Sequence, residues 1–262
     1  MLTITSAEWN QWMALFFFPF VRILAWLSID PLLGSSSAPN SVRLGLALVL
    51  AVAIAPTLPP FPYVPVVSGD GLLILLQQVA IGLALGFALK IVFSAMDLAG
   101  QFIGMQMGLS MASLYDPVNG TQTPVIGQFL SVTSALLLFA MNGHHQVIAA
   151  LWQSFLDVPI AATPMSGKGF LILVDWAGAI FNTGLHIALP VTAALLAANL
   201  ALGIMTRAAP QLNIFSVGFP ITMGAGFLAL YFSLTYLPAY LEGFWREALE
   251  QGIAAMRGLA GP

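Results

Sequence analysis

The stretch that decides the fold is Leu72–Met111, with the sequence LLILLQQVAIGLALGFALKIVFSAMDLAGQFIGMQMGLSM. It contains no proline, and its apolar residues predict a helix. As one helix, about 40 residues would reach roughly 60 Å, which is twice the thickness of a bilayer's hydrocarbon core. The stretch therefore predicts a helix that breaks near Met96-Asp97, that runs steeply tilted, or that stands partly outside the bilayer against partner subunits.

The composition of the whole chain supports a membrane environment. Of 262 residues, 59 % are hydrophobic and only 6 % are charged, against roughly a quarter charged in a soluble domain. So few charges cannot cover a water-facing surface, so lipid or partner chains must cover it. Seven Lys and Arg against ten Asp and Glu supply no basic stripe, which excludes nucleic-acid binding. Without cysteine, disulfides and thiolate chemistry are excluded as well.

Other apolar runs predict further helices around this stretch. They are Trp9–Ile29, Val42–Ala55, Val125–Ala140, Val147–Leu156, Phe170–Thr206 and Ile214–Tyr236. The dipeptide Asn142-Gly143 predicts a helix break, and the short pieces on either side of it suggest a hairpin. The N-terminus lacks a basic region, so we expect the first helix to remain uncleaved. We predict an all-α fold in a single domain, 1–262.

The C-terminal segment, about 239–257, has a different pattern. Its apolar residues fall near one helical face, and its charged residues fall away from that face. The apolar set is Leu241, Phe244, Trp245, Leu249, Ile253 and Met256, and the charged set is Glu242, Arg246, Glu247 and Glu250. This pattern predicts an amphipathic surface helix.

Four charged residues lie inside apolar runs: Arg22, Lys90, Asp97 and Asp175. Each would cost about 2.5–3.5 kcal/mol at the centre of a bilayer. They indicate either an ion or proton path or a set of ion pairs that lock subunits together. The second interpretation is favoured because buried charges are usually paired.

Small and flexible residues mark the end of the long stretch. Gly100, Gly104 and Gly108 form a ladder on one helical face, which predicts close packing against neighbouring helices. Met105, Met107 and Met111 flank that ladder, and their adaptable side chains suit either ordinary core filling or the lining of a gate. The turn-rich segment from about 106 to 123 is predicted to be a loop.

Catalytic chemistry finds no support in the sequence. His144 and His145 are adjacent, so on a helix they point about 100° apart and do not readily share a metal ion. No nucleophile, base and orienting group have a spacing that would bring them together. We expect no enzyme activity, no metal and no cofactor.

Several motifs, in order along the chain, resemble the FliR family of flagellar biosynthetic proteins. They are Gln106-Met107-Gly108-Leu109-Ser110 leading to Asp116-Pro117, then Asn142-Gly143-His144, Leu202-Gly203, Arg207-Ala208-Ala209-Pro210-Gln211-Leu212-Asn213-Ile214-Phe215, and Gly218-Phe219-Pro220. The resemblance covers essentially the whole chain, and the stretch from Arg207 to Phe215 is its most specific part.

The resemblance implies a subunit of the flagellar type III protein export gate in the bacterial inner membrane, at the flagellar basal body. It implies assembly with several copies each of FliP and FliQ, with FlhB and FlhA as neighbours, and passage of unfolded export substrates. The family fold, in which kinked helical hairpins form a spiral with partner subunits, resembles a fused FliP and FliQ.

The resemblance also implies roles for individual residues. Channel plug or gate residues would be Met105, Met107, Leu109, Ser110, Met111, Leu114, Tyr115, Asp116 and Pro117. Intersubunit packing would involve Gly100, Gly104, Gly108, Arg207, Pro210, Gln211 and Phe215.

The alternatives to a flagellar export-gate subunit are a small-solute transporter or channel that acts alone, and a subunit of a virulence injectisome.

Overall fold

The computed structural model describes residues 6–33, 39–59, 64–109, 124–209 and 214–260, with side chains described from 14 and from 218 in the first and last ranges. Within these ranges the regular structure is helical and no strand occurs. The predicted all-α fold is therefore confirmed.

Nine α-helices lie in the described ranges. They are α1 (Ser6–Ile29), α2 (Asn40–Ile54), α3 (Gly69–Gln106), α4 (Val125–Ala140), α5 (Gly143–Asp157), α6 (Lys168–Ala177), α7 (Ala179–Ala208), α8 (Ile214–Leu234) and α9 (Leu237–Leu259), and a short 3-10 turn, Ala55–Thr57, follows α2.

The long stretch forms one continuous helix. α3 has 38 residues, so it is about 57 Å long, and of the three alternatives for this stretch the break near Met96-Asp97 does not occur. The Asp97 carboxylate accepts a hydrogen bond from the hydroxyl of Ser131 on α4. Apolar residues continue the helix on both sides of Asp97. A tilted helix, or one that extends beyond the bilayer, remains compatible with this length.

The predicted break at Asn142 is confirmed. Asn142 has φ 58° and ψ 27°, the left-handed conformation that asparagine tolerates better than most residues. The helix accordingly ends at Ala140, and the next one begins at Gly143. Gly178, by contrast, keeps helical angles between α6 and α7, so these two helices act as one long span.

Several helices are long and apolar enough to cross a membrane. Three qualify by length and composition, or up to five if each bent pair counts as one span. The window over Asn40–Thr57 is only 22 % buried inside the chain, and so is the window over Lys168–Ala208. These surfaces are available to lipid or to partner chains.

The chain divides into two compact units, and α3 contributes to both. The first unit comprises 1–91, 142–177 and 245–262. There α3 packs closely on α1 through two glycines: a Cβ at Gly82 would lie 2.9 Å from that of Ala25, and one at Gly86 would lie 2.9 Å from the carbonyl oxygen of Trp26. On α6, Trp176 donates an indole hydrogen bond to the carbonyl of Ala88 at 3.1 Å.

Arg22 is fully buried in this first unit. Its guanidinium donates to Gln78 Oε1 at 2.7 Å and to the carbonyls of Ser154 and Val158 at 2.8 and 2.9 Å. It also lies 4.1 Å from the ring centroid of Phe155. Since the two carbonyls belong to the C-terminal end of α5, where the helix dipole is negative, Arg22 caps that end.

The second unit comprises 92–141 and 178–244. Three helices contact α3, or Met107 directly after it, through glycine: Gly127 of α4 against Gly100, Gly184 of α7 against Ala95 and Leu98, and Gly226 of α8 against Met107. The absence of a side chain at each contact lets the helices approach closely.

The helix expected over about 239–257 lies within α9. Its apolar residues Leu241, Phe244, Trp245, Leu249 and Met256 are buried, while Glu242, Arg246, Glu247 and Glu250 are exposed. Gly252 lies close to Leu85 and Ala88, so this helix covers one side of α3 in the first unit.

The α1–α3 contact makes a prediction about Gly82. Gly82→Ala should lower the stability of the purified chain by about 1–3 kcal/mol, because the added methyl group would overlap the backbone of α1. Gly45→Ala is the matched control: nothing lies within 4 Å of its Cβ position, so helix propensity should stabilise α2 by up to about 1 kcal/mol. Thermal unfolding in mild detergent measures both, and equal effects would contradict the close contact.

Arg22 makes a second prediction. Arg22→Met should destabilise the chain by about 2–3 kcal/mol, because the acceptors on Gln78, Ser154 and Val158 lose their donor inside the protein. In the control Arg257→Met, an exposed pair with Asp157 at 2.9 Å is lost, which should cost less than about 1 kcal/mol. If Arg22→Met unfolds at the wild-type temperature, the capping role is wrong.

Candidate functional site

The candidate site lies in the second unit, where α3 ends. Met107 continues the chain with a hydrogen bond from its backbone N–H to the carbonyl of Ile103 at 2.9 Å. Gly108 has φ +81°, a left-handed conformation that terminates helices and favours glycine. Gly108 therefore follows the end of α3 in a conformation that stops the helix, and 110–123 come after it in the sequence.

The structure separates the methionines that the sequence grouped together. Met105 is 54 % exposed, whereas Met107 is fully buried. A Cβ on Gly226 would lie 2.6 Å from Met107 Cγ, so Met107 fills space against α8 as a core residue does. Met105 is free to face another molecule.

The remaining predicted gate residues divide between described and undescribed parts of the chain. Leu109 is half-buried. Ser110, Met111, Leu114, Tyr115, Asp116 and Pro117 lie outside the described residues. The described part of the predicted gate is thus Met105 to Leu109.

The glycine ladder also divides. Gly100 packs inside the chain, because a Cβ there would overlap the backbone of Gly127. Gly104 has only Ile126 Cγ1 nearby, at 3.9 Å from its Cβ position, and Gly108 faces the ring of Phe219 at 3.4 Å. Of the three, Gly104 leaves most room for a close approach from outside.

The stretch resembling the most specific family motif is only partly described. Arg207 is exposed in the last turn of α7. Pro210 and Gln211 lie outside the described residues, and for Phe215 the structure describes the helical backbone without the side chain. Their proposed role in subunit packing stays a prediction.

The four charges in apolar runs have different surroundings. Arg22 is buried and bonded within the chain, while Lys90 and Asp175 are exposed. Asp97 is half-buried, and the hydroxyl of Ser131 donates a hydrogen bond to its Oδ1. Arg22 is thus satisfied within the chain, whereas Lys90 and Asp175 are exposed and Asp97 is half-buried.

The contacts of α3 with α4 define an antiparallel pair. Asp97 meets Ser131, and Gly100 meets Gly127 one turn further along α3. Sequence reasoning missed Ser131 and Gly127, although a serine and a glycine four residues apart on the next apolar helix give a weak signal of such a crossing.

A cavity of about 410 Å³ lies elsewhere in the same unit. It is lined by residues of α7, α8 and α9, namely His186, Ile187, Pro190, Ala229, Phe232, Ser233, Tyr236, Leu237 and Tyr240. The His186 ring stacks on Tyr240 with 5.4 Å between centroids. No spacing pattern in the sequence identified this cavity.

Comparison with known proteins identifies the family. The sequence pattern of the bacterial export proteins, family 1, matches residues 13–248. The flagellar biosynthetic protein FliR of Pectobacterium carotovorum subsp. carotovorum is 40 % identical over 250 residues, 95 % of each chain. FliR of Escherichia coli (strain K12) is 40 % identical over 247 residues, 94 % of each chain.

A more distant relative shows the same likeness. FliR of Bacillus subtilis (strain 168) is 34 % identical over 218 residues, which cover 82 % of this chain and 84 % of the relative. These matches extend over nearly all of the helices described above, so they concern the fold as a whole and not one motif. The chain therefore belongs to the bacterial export proteins, family 1, as a relative of the flagellar biosynthetic protein FliR.

Proposed function

We propose that this subunit of the flagellar export apparatus forms part of the wall and the plug of a gate that conducts unfolded proteins. One observation carries the proposal: α3 ends in an exposed methionine, Met105, and a left-handed glycine, Gly108, that leads directly into 110–123. A segment that leaves the end of a long, firmly packed helix can close a conduit while its base stays fixed.

The two methionines would have different tasks in this mechanism. Met107 anchors the base of the plug segment against Gly226, while Met105 and Leu109 face the conduit together with Ser110, Met111, Leu114, Tyr115, Asp116 and Pro117. Unbranched, polarizable side chains suit a seal around chains of varying sequence. Conduction would be passive, driven by energy supplied elsewhere, so the chain itself would need neither catalytic residues nor a cofactor.

The proposed partners are several copies each of FliP and FliQ, with FlhB and FlhA adjacent, in the inner membrane at the flagellar basal body. Support comes from the helices that the chain leaves uncovered, since α2 and the α6–α7 span are mostly exposed. Lipid and sibling helices would cover them in a spiral of kinked hairpins, with this chain resembling FliP fused to FliQ.

Two other functions fit an apolar helical chain less well. A solute transporter acting alone, or an injectisome subunit, would share the composition, but the similar proteins named above are flagellar biosynthetic proteins. Purification in gentle detergent distinguishes the first alternative from the proposed function. A transporter that acts alone should be a monomer or a symmetric oligomer, whereas an export-gate subunit should be found in a larger hetero-complex.

Deletion of 109–115 tests the plug. Resting cells that carry the deletion should become permeable to small ions while the complex assembles, because the closing segment is shortened and its anchor at Met107 is kept. Ion-sensitive fluorescence in whole cells measures the leak. Unchanged permeability in cells whose complex assembles normally would show that this segment is not the plug.

A matched pair of substitutions serves as the control for the deletion. Met105→Ala should increase ion leakage, because the proposed gate loses a side chain that faces the conduit. The stability of the chain should not change, because this side chain is exposed. Met107→Ala should instead destabilise the chain by about 2–5 kcal/mol, as expected for a buried side chain. Leakage from Met107→Ala without loss of stability would reverse the assignment of the two methionines.

Gly104 and Gly100 test the contact between subunits. Gly104→Ala should reduce co-purification of partner subunits severalfold and leave the thermal stability of the isolated chain unchanged, because its Cβ position is open within the chain. Gly100→Ala should lower the stability of the chain itself, because α4 occupies that space. Full assembly of the Gly104 variant would remove this residue from the proposed interface.

A further inference from the structure

Asp97 has one oxygen with a hydrogen-bond donor and one without a donor in the described part of the chain. Ser131 donates to Oδ1, and among the described residues no donor contacts Oδ2. The residue is half-buried, so the chain does not fully enclose its carboxylate. An ionised side chain within an apolar helix is usually paired or faces a watery cavity, and the hydroxyl of Ser131 supplies no positive charge.

The second unit has no cation that could pair with Asp97. Arg207 is the only lysine or arginine in 92–141 and 178–244. It lies 23 positions after Gly184, the residue of α7 that packs on Ala95 and Leu98, which corresponds to roughly 35 Å along a helix. His186 stacks its ring on Tyr240, and no hydrogen bond joins it to Asp97 in the described part of the chain.

Lys90 is the nearest basic residue in sequence, seven positions earlier in α3. Seven positions are roughly 10 Å along the helix axis, which is beyond the length of an ion pair. No ion pair joins Lys90 to Asp97 in the described part of the chain. Since Asp97 makes no ion pair in the described part of the chain, a positive charge for it would come from another molecule.

The surroundings of Asp97 favour a protein as that molecule. Gly100 and Gly127 hold the backbones of α3 and α4 in contact, so the carboxylate is presented on a fixed surface. Gln101 and Gln128 are exposed on the same two helices and can donate and accept hydrogen bonds. Neutral hydrogen-bonding groups around a tethered carboxylate are suited to a lysine or arginine on a neighbouring helix.

We propose that the α3–α4 surface formed by Asp97, Gln101, Gln128 and Ser131 binds a lysine or arginine side chain of a neighbouring protein subunit in the export complex. This inference rests on the proposed function in that it requires a hetero-complex. It does not depend on the plug.

Neutralising the carboxylate tests the proposal with a definite sign. Asp97→Asn keeps the shape and removes the charge, so the neighbour's cation loses its partner. The amount of partner subunit recovered per tagged chain from membranes in gentle detergent should fall roughly tenfold. Asp97→Glu should retain most of the complex. Asp70→Asn, which removes an exposed carboxylate near the start of the same helix, is the matched control and should assemble normally.

The opposite result has an equally clear meaning. If Asp97 is unpaired in lipid, or protonated, the asparagine variant should assemble as well as the wild type or better. That result would overturn the inference while leaving the plug proposal intact. Unchanged ion permeability of the 109–115 deletion variant would overturn the plug proposal while leaving this inference intact.

A second measurement covers the case in which Asp97→Asn lowers the amount of the chain itself. A photo-reactive amino acid at Gln101 in the otherwise wild-type chain should crosslink to a segment of another subunit that carries lysine or arginine, identified by mass spectrometry. Reversing both charges, with Asp97→Lys against an aspartate at the identified position, should restore assembly. Crosslinks only to lipid, or to a segment without a basic residue, would overturn the proposal.

Discussion

The fold depends on how closely other helices can approach the backbone of α3. Gly82 and Gly86 of α3 admit α1 in the first unit, and in the second unit Gly127, Gly184 and Gly226 bring three further helices against it. Helices gain no hydrophobic free energy from association inside lipid, so they depend on van der Waals contact, which requires small residues at the crossing points. α3 is long, unbroken and surrounded because its neighbours offer glycine where they meet it.

The charged residues in the apolar helices differ in whether the chain itself satisfies them. Arg22 is buried but bonded to Gln78 and to the last carbonyls of α5, so its burial costs less than that of a bare cation. Asp97 is half-buried and has only Ser131 as a hydrogen-bond partner in the described part of the chain. Arg22 thus stabilises the subunit, and Asp97 is the residue that we propose binds a neighbouring subunit. Arg22 lies beside the C-terminal end of α5, and Asp97 lies beside the hydroxyl of Ser131.

Much of the fold could be predicted from the sequence. The apolar runs located the helices, and Asn142-Gly143 located the break, because both signals are local. The break at Met96-Asp97, one of three alternatives for the long stretch, does not occur; Ser131, 34 positions away, donates a hydrogen bond to the aspartate there. The methionines looked equivalent, yet Met107 is buried and Met105 is exposed, since only the position of Gly226 on α8 distinguishes them.

By itself, the sequence determined that this is a helical membrane chain whose long apolar stretch ends in glycines and methionines, and its motifs were sufficient to suggest the family. Those properties depend on composition and on residues close together along the chain. Only the tertiary structure decided which glycine is used inside the chain, which charge is already satisfied and which methionine is exposed. Each of those outcomes depends on the distance between residues of different helices, and no periodicity within a single helix encodes it.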